Sequence, residues 1–205
     1  MSEASSVFRA APHHSHYHLS SASCLISGQY LLGFEESYGY MMGDYVRDKD
    51  AVTASMMIAE MAAWYFDRGM TLADAMDELY AKYGFYHETT LNLYMYGVDG
   101  LGEMRALMEK LRRDPPTEVG GIAVARIRDY DSGDTKVPGL GVVEKTAISG
   151  SNVLYFDLID GSALVVRPSG TEPKIKMYVL ARDETSAGAA DKAEQVAAFA
   201  RGLSK

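Results

Sequence analysis

The sequence predicts an α+β fold. Its C-terminal domain should carry a mostly antiparallel four-stranded sheet with helices on one face. A helical segment and the remnant of an α/β domain should precede it. Three observations lead there: alternating apolar runs that cluster after residue 86, a two-residue turn signal at Asp160-Gly161, and helix-period apolar stripes at residues 51–67, 71–83 and 185–203. The implied organisation is residues 1–28 outside any core, 29–69 as part of one domain, 70–85 as a connecting helix, and 86–205 as the C-terminal domain.

Residues 1–28 are rich in Ser, Ala and His, with His13, His14, His16 and His18 crowded together and no period of 2 or 3.6. Such a tract predicts disorder rather than a metal site, since no thiolate or ordered carboxylate partners the imidazoles. A short apolar run, Gln29 to Leu32, then leads into a Gly-flanked acidic loop. Asp48 and Asp50 offer N-caps for a helix over 51–67. Met57, Met61 and Trp64 form one stripe of that helix, and Val52, Met56, Ala59, Ala63 and Phe66 form another, so it requires neighbours on more than one side. Thr71 with Asp74 reads as a capping box for the next helix, which places Leu72, Met76, Leu79 and Tyr83 on one face.

Past Gly84 the period changes to 2. Thr89, Leu91, Leu93 and Met95 alternate with Thr90, Asn92, Tyr94 and Tyr96 in a half-buried strand. Residues 99–112 predict a helix with Leu101, Met104, Met108 and Leu111 inward, stopped by Pro115 and Pro116. Residues 122–130 read as a strand. Asp129, Asp131 and Asp134 imitate the start of a calcium loop, but Leu140 stands where the bidentate Glu should be, which predicts a solvated acidic loop instead. Residues 153–159 and 162–167 form the hairpin, 175–181 the next strand, and 185–203 a closing helix with Ala193, Val196 and Phe199 buried.

Composition narrows the function. The chain has 205 residues, a hydrophobic share of 47% and a formal net charge of -8. That balance argues against nucleic acid as a partner, because backbone-binding domains carry a basic face. No apolar run approaches the ~20 residues of a membrane span and no signal peptide is recognisable. A single cysteine, Cys24, excludes an internal disulfide. The expectation is a cytoplasmic protein.

Chemistry concentrates in two loops. Arg167-Pro168-Ser169-Gly170-Thr171-Glu172-Pro173-Lys174 joins two strands and combines cations, hydroxyls, a permissive glycine and two stiffening prolines, a set suited to a phosphate dianion. The same residues also suit a plain solvated turn. The second loop is Gly33-Phe34-Glu35-Glu36-Ser37-Tyr38-Gly39-Tyr40. In an extended segment Glu35 and Ser37 point the same way, and a carboxylate beside a hydroxyl suits adjacent sugar hydroxyls.

Taken with Arg47-Asp48-Lys49-Asp50, these motifs resemble, in order, the C-terminal portion of the α-D-phosphohexomutase family, nearest its phosphoglucomutase and phosphopentomutase branch. The resemblance covers residues 29 to 205. It implies that Glu35 and Ser37 read sugar hydroxyls, that Lys49 matches the lysine following that loop, and that Arg167, Ser169, Gly170 and Thr171 grip the phosphate that is not reacting. Lys174 remains a supporting charge without a family role. The implied reaction moves a phosphoryl group between the 1- and 6-positions of a hexose, or the ends of a pentose, with Mg2+ and a bisphosphorylated sugar activator in the full-length enzyme.

The sequence also departs from the family. The Ser-His-Asn-Pro type loop that carries the phosphoserine has no counterpart here, nor does the Asp-Gly-Asp type loop that holds magnesium. No catalytic residue is therefore assigned. The expectation is a phosphosugar-binding fragment, inactive alone, whose partial sugar-binding domain self-associates; the alternative is a stand-alone phosphosugar-binding or regulatory module.

Overall fold

A computed structural model describes residues 32–34, 39–42, 45, 48–96, 99–170 and 172–203. The expectations for residues 1–28, Glu35, Ser37, Arg47 and Thr171 lie outside the described residues. The chain divides into two compact units, residues 1–77 and 78–205.

In the first unit, strands β1 (Leu32–Phe34) and β2 (Tyr40–Met42) pair antiparallel, with Phe34 opposite Tyr40. Helix α1 (Ala51–Phe66) begins where Asp50 caps it: the Asp50 side chain accepts from the Val52 amide, and the Asp50 amide donates to the Tyr40 carbonyl at 2.9 Å. The helix start is thereby tied to β2. Only Ala54 of α1 is buried, while Val52, Met56, Met57, Ile58, Met61, Trp64 and Phe66 are exposed. The wide apolar surface read from the sequence is real, and the described residues leave most of it open. Helix α2 (Leu72–Tyr83) starts with the expected reciprocal cap: Thr71 donates its amide and its hydroxyl to Asp74 Oδ2, both at 2.7 Å, and the Asp74 amide returns a bond to Thr71 Oγ1.

The second unit is one antiparallel sheet with two helices. Its strands are β3 (Phe85–Tyr94), β4 (Glu118–Val119), β5 (Ile122–Asp129), β6 (Asp134–Val137), β7 (Gly141–Lys145), β8 (Leu154–Leu158), β9 (Ala163–Pro168) and β10 (Lys174–Asp183). Helix α3 (Gly100–Arg113) follows β3, and α4 (Ser186–Gly202) ends the described chain. The sheet runs β3-β10-β9-β8-β5-β6-β7, with β4 attached to β5. It has eight strands, not the four expected. The extra ones are short or lie fully in solvent: β4 has two residues, and all five residues of β7 are exposed, so neither carries the apolar alternation that betrays a half-buried strand.

The core lies on one face of this sheet. Leu164 and Val166 of β9, Ile175, Met177 and Val179 of β10, and Leu154 and Phe156 of β8 share a cluster with Met104, Met108 and Leu111 of α3 and with Val196 and Ala200 of α4. Truncating a residue as buried as Phe156 costs about 3–5 kcal/mol. Leu101, expected inward, is 57% exposed. The opposite face carries a smaller cluster of Tyr155, Ala163 and Val165 with Tyr178 and Leu180 packed against it. There Arg128 forks onto both oxygens of Asp157 at 2.8 and 2.9 Å and lies 3.8 Å from the centroid of the Tyr155 ring.

Two polar links hold elements in place. Asp129 is buried, not solvated as expected, because Arg112 of α3 donates to it at 3.1 Å. Lys192 of α4 bonds Asp160 at 2.9 Å and Asp183 at 3.0 Å, joining the helix to the β8–β9 turn and to the end of β10. That turn uses Gly161 at φ +88°, a conformation that disfavours any residue with a Cβ.

Candidate phosphate-binding site

The Arg167 loop closes the hairpin between β9 and β10. Pairing carries on past the last strand position, since the Ser169 amide donates to the Lys174 carbonyl at 2.9 Å. Inside the turn, the Lys174 amide reaches the Glu172 carbonyl at 2.7 Å and the Glu172 amide reaches Ser169 Oγ at 3.3 Å. The loop is fixed from outside as well. The Met95 amide donates to the Pro173 carbonyl at 2.9 Å, and a Cβ placed at Gly100 would stand 2.3 Å from the Met95 carbonyl oxygen and 3.3 Å from Pro173. The end of β3, the first turn of α3 and the loop are thus packed without spare room.

Strand alternation decides where the loop's cations point. Ile175, Met177 and Val179 enter the helix-covered core, so Lys174 and Lys176 lie on the other face. Likewise Leu164 and Val166 face the helices, which sends Val165 and Arg167 the other way. Arg167 and Lys176 are register partners across β9 and β10, and Asn92 of β3 stands opposite Lys176 on its other side. Directly opposed residues have Cβ atoms about 4.5–5.5 Å apart, close enough for two cations to share one anion. Both side chains are half-buried.

Of the residues expected from sequence, Arg167, Ser169 and Gly170 are brought together at this end of the sheet. Lys174 makes a 2.5 Å ion pair with Glu172, and this bond holds its ammonium above the usual lysine pKa. Its charge is therefore partly committed inside the loop. Lys49 belongs to the first unit, where it is exposed just before α1 and its amide donates to Asp48 Oδ1 at 2.7 Å. Glu35 and Ser37 fall in the chain between β1 and β2, outside the described residues.

Lys176 was missed at the level of sequence. Its signal lay in the pairing, since the register of β9 and β10 sets Lys176 opposite Arg167. Among the described residues no group of three or more His, Cys, Asp or Glu side chains is placed to hold a metal ion. Also among them, no helix is long and apolar enough to cross a membrane.

Comparison with known proteins shows the family. Residues 22–83 match the family description "Phosphoglucomutase/phosphomannomutase, alpha/beta/alpha domain III", and residues 103–199 match "Phosphoglucomutase/phosphomannomutase, C-terminal domain". The chain is 34% identical over 150 residues to the phosphoglucomutase of Staphylococcus haemolyticus, covering 73% of this chain and 27% of that protein. It is 37% identical over 153 residues to a probable phosphomannomutase of Haemophilus influenzae, covering 74% of this chain and 28% of that one. The chain thus spans little more than a quarter of the length of these relatives. A solved structure with a similar fold is the open form of the exocytosis-sensitive phosphoprotein pp63/parafusin, a phosphoglucomutase from Paramecium; the TM-score is 0.60 at 17% identity, over 91% of this chain and 32% of that one. Two consecutive domain matches, with relatives of 34% and 37% identity, lead to one conclusion: the chain belongs to the phosphoglucomutase/phosphomannomutase family.

Proposed function

We propose that this chain binds a sugar phosphate through its phosphate and is the substrate-gripping part of a phosphohexomutase. The observation that carries this reading is the pairing of Arg167 with Lys176 on the helix-free face of the sheet, beside Ser169 and the Gly170 backbone. A guanidinium presents a fork of donors, an ammonium adds a point charge, and the hydroxyl carries its own proton to donate, so three or four oxygen contacts can converge on one dianion. Glu35, Ser37 and Lys49 would contact the sugar, and Thr171 would complete the phosphate loop. The anion held here is the idle phosphate, leaving the other end of the sugar for chemistry elsewhere.

Transfer between the 1- and 6-positions needs a phosphorylated nucleophile and a metal-assisted centre, and these 205 residues contain neither loop type. The chain alone should therefore bind and not turn over. The experiment is to supply glucose 1-phosphate, magnesium and glucose 1,6-bisphosphate and to follow formation of glucose 6-phosphate. No rate above background is expected, and robust turnover would overturn the assignment. Calorimetry with glucose 1-phosphate then separates the two readings of an inactive chain: unaided micromolar binding favours a stand-alone module, millimolar binding a fragment that needs the rest of the enzyme. The module reading draws its support from the second unit, which has a continuous core of its own.

A further inference from the structure

Two tyrosines at the end of β3 have no task in the core. Tyr94 is 45% exposed and Tyr96 is 84% exposed, yet their rings stack with centroids 5.7 Å apart and planes inclined by only 20°. Alternation along an extended segment puts both on one face, and the register identifies it. Tyr94 stands opposite Lys174, and its strand neighbour Asn92 stands opposite Lys176. The tyrosines therefore share the helix-free face with Arg167 and Lys176. The Lys174 ammonium lies 5.7 Å from the Tyr94 centroid, and the Met95 amide, between the two tyrosines, is bonded to Pro173. The aromatic pair is anchored to the anion loop itself.

We infer that Tyr94 and Tyr96 form a stacking platform that receives the apolar face of the sugar ring once the phosphate is seated on Arg167 and Lys176. This deepens the reading above and rests on it. The distances suit such a ligand: Tyr94 is the diagonal neighbour of Lys176, a separation of about 7–8 Å that aromatic and long side chains span. A phosphate ester carries its ring only a few bonds from its anion, within the span of these two side chains. A pyranose presents C–H bonds on one face, which match the negative face of an aromatic ring, while its hydroxyls stay at the rim within reach of polar partners such as Asn92 and the phenol groups. The stacking of one tyrosine on the other orients the platform before the ligand arrives, so little side-chain entropy remains to be lost. Inorganic phosphate, having no ring, gains nothing from it.

The test compares two probes, inorganic phosphate and glucose 1-phosphate, by calorimetry on the full chain and on Tyr96→Ala, Tyr96→Phe and Arg167→Ala, with circular dichroism showing that each variant is folded. The unmodified chain should bind glucose 1-phosphate about five- to tenfold more tightly than phosphate. Tyr96→Ala should erase that margin with phosphate affinity unchanged, Tyr96→Phe should keep most of it, and Arg167→Ala should weaken both probes. Equal affinity for the two probes in the unmodified chain, or a margin that survives Tyr96→Ala, overturns the platform and leaves the anion site standing. Binding of neither probe overturns both readings.

Discussion

Arg167 and Lys176 face each other across neighbouring antiparallel strands, on the side of the sheet that neither helix covers. Two like charges opposed in this way repel one another, and the repulsion is relieved when an anion sits between them.

The first prediction concerns that pair. Arg167→Ala should weaken inorganic phosphate binding by about 10- to 100-fold, the worth of charge-assisted hydrogen bonds lost. Lys176→Gln should cost less, because it removes a charge and keeps a donor. Calorimetry at low and high ionic strength checks both. The unmodified chain should lose affinity with salt more steeply than Lys176→Gln does, because partly exposed charges are screened.

Gly100→Ala should disturb the loop through its support. The added carbon would lie 2.3 Å from the Met95 carbonyl oxygen, so the backbone must move. Overpacking of this kind costs about 1–3 kcal/mol. Thermal unfolding should show a Tm several degrees lower, with weaker phosphate binding as Pro173 shifts. Gly170→Ala is the control for stability: a Cβ there meets nothing within 4 Å, and the melt should stay where it was.

Alkali should reveal Tyr155. Burial disfavours its phenolate and pushes its pKa up to about 12 from 10.0, with Arg128 offsetting part of that effect. A pKa raised in the folded state adds stability that is complete below about pH 10 and is lost as pH rises from there through the folded value. Unfolding by denaturant should thus become easier between pH 10 and 12. Tyr155→Phe, which cannot ionise, should show a shallower decline over that window. An identical decline in the two proteins would contradict this account.

Helix α1 should drive association. Glu60 is the only charged residue among its sixteen, and seven large apolar side chains on it are exposed. With almost no like charge to keep two copies apart, the apparent mass in light scattering should rise with concentration. Met57→Glu with Met61→Glu should return it toward the monomer. Hydrogen exchange offers a second view: amides of α1 should exchange faster than those of β9 and β10, and strong protection at Met57 in a proven monomer would contradict the association.

How far could this be read in advance? The Thr71–Asp74 cap, the Asp50 cap and the Asp160-Gly161 turn are local, and local chemistry writes itself into adjacent residues. So is the hairpin that presents Arg167. What escaped was set by pairing between distant segments. Strands β6 and β7 hold Lys136 opposite Val142 with no apolar alternation, so their existence depends on bonds to a neighbour rather than on pattern. Asp129 was read as solvated because its partner, Arg112, lies on a helix seventeen residues earlier. Lys176 followed the same rule, since only the register of β9 and β10 gives it a companion. Leu101 erred in the other direction: its spacing fits the inward stripe, yet the buried stripe runs through Gly100, Met104, Leu107, Met108 and Leu111 and leaves Leu101 at its exposed margin.

Because the helices seal one side of the sheet alone, the alternate positions along β3, β9 and β10 answer to different demands. Leu164, Val166, Ile175 and Met177 are held to their volumes by close packing, whereas Asn92, Tyr94, Arg167 and Lys176 are not. Ligand preference can drift within such a protein by exchange of these four residues alone, at little expense to thermal endurance. Relatives that differ in the sugars they accept are expected to diverge most at these outward positions while keeping the inward ones nearly constant.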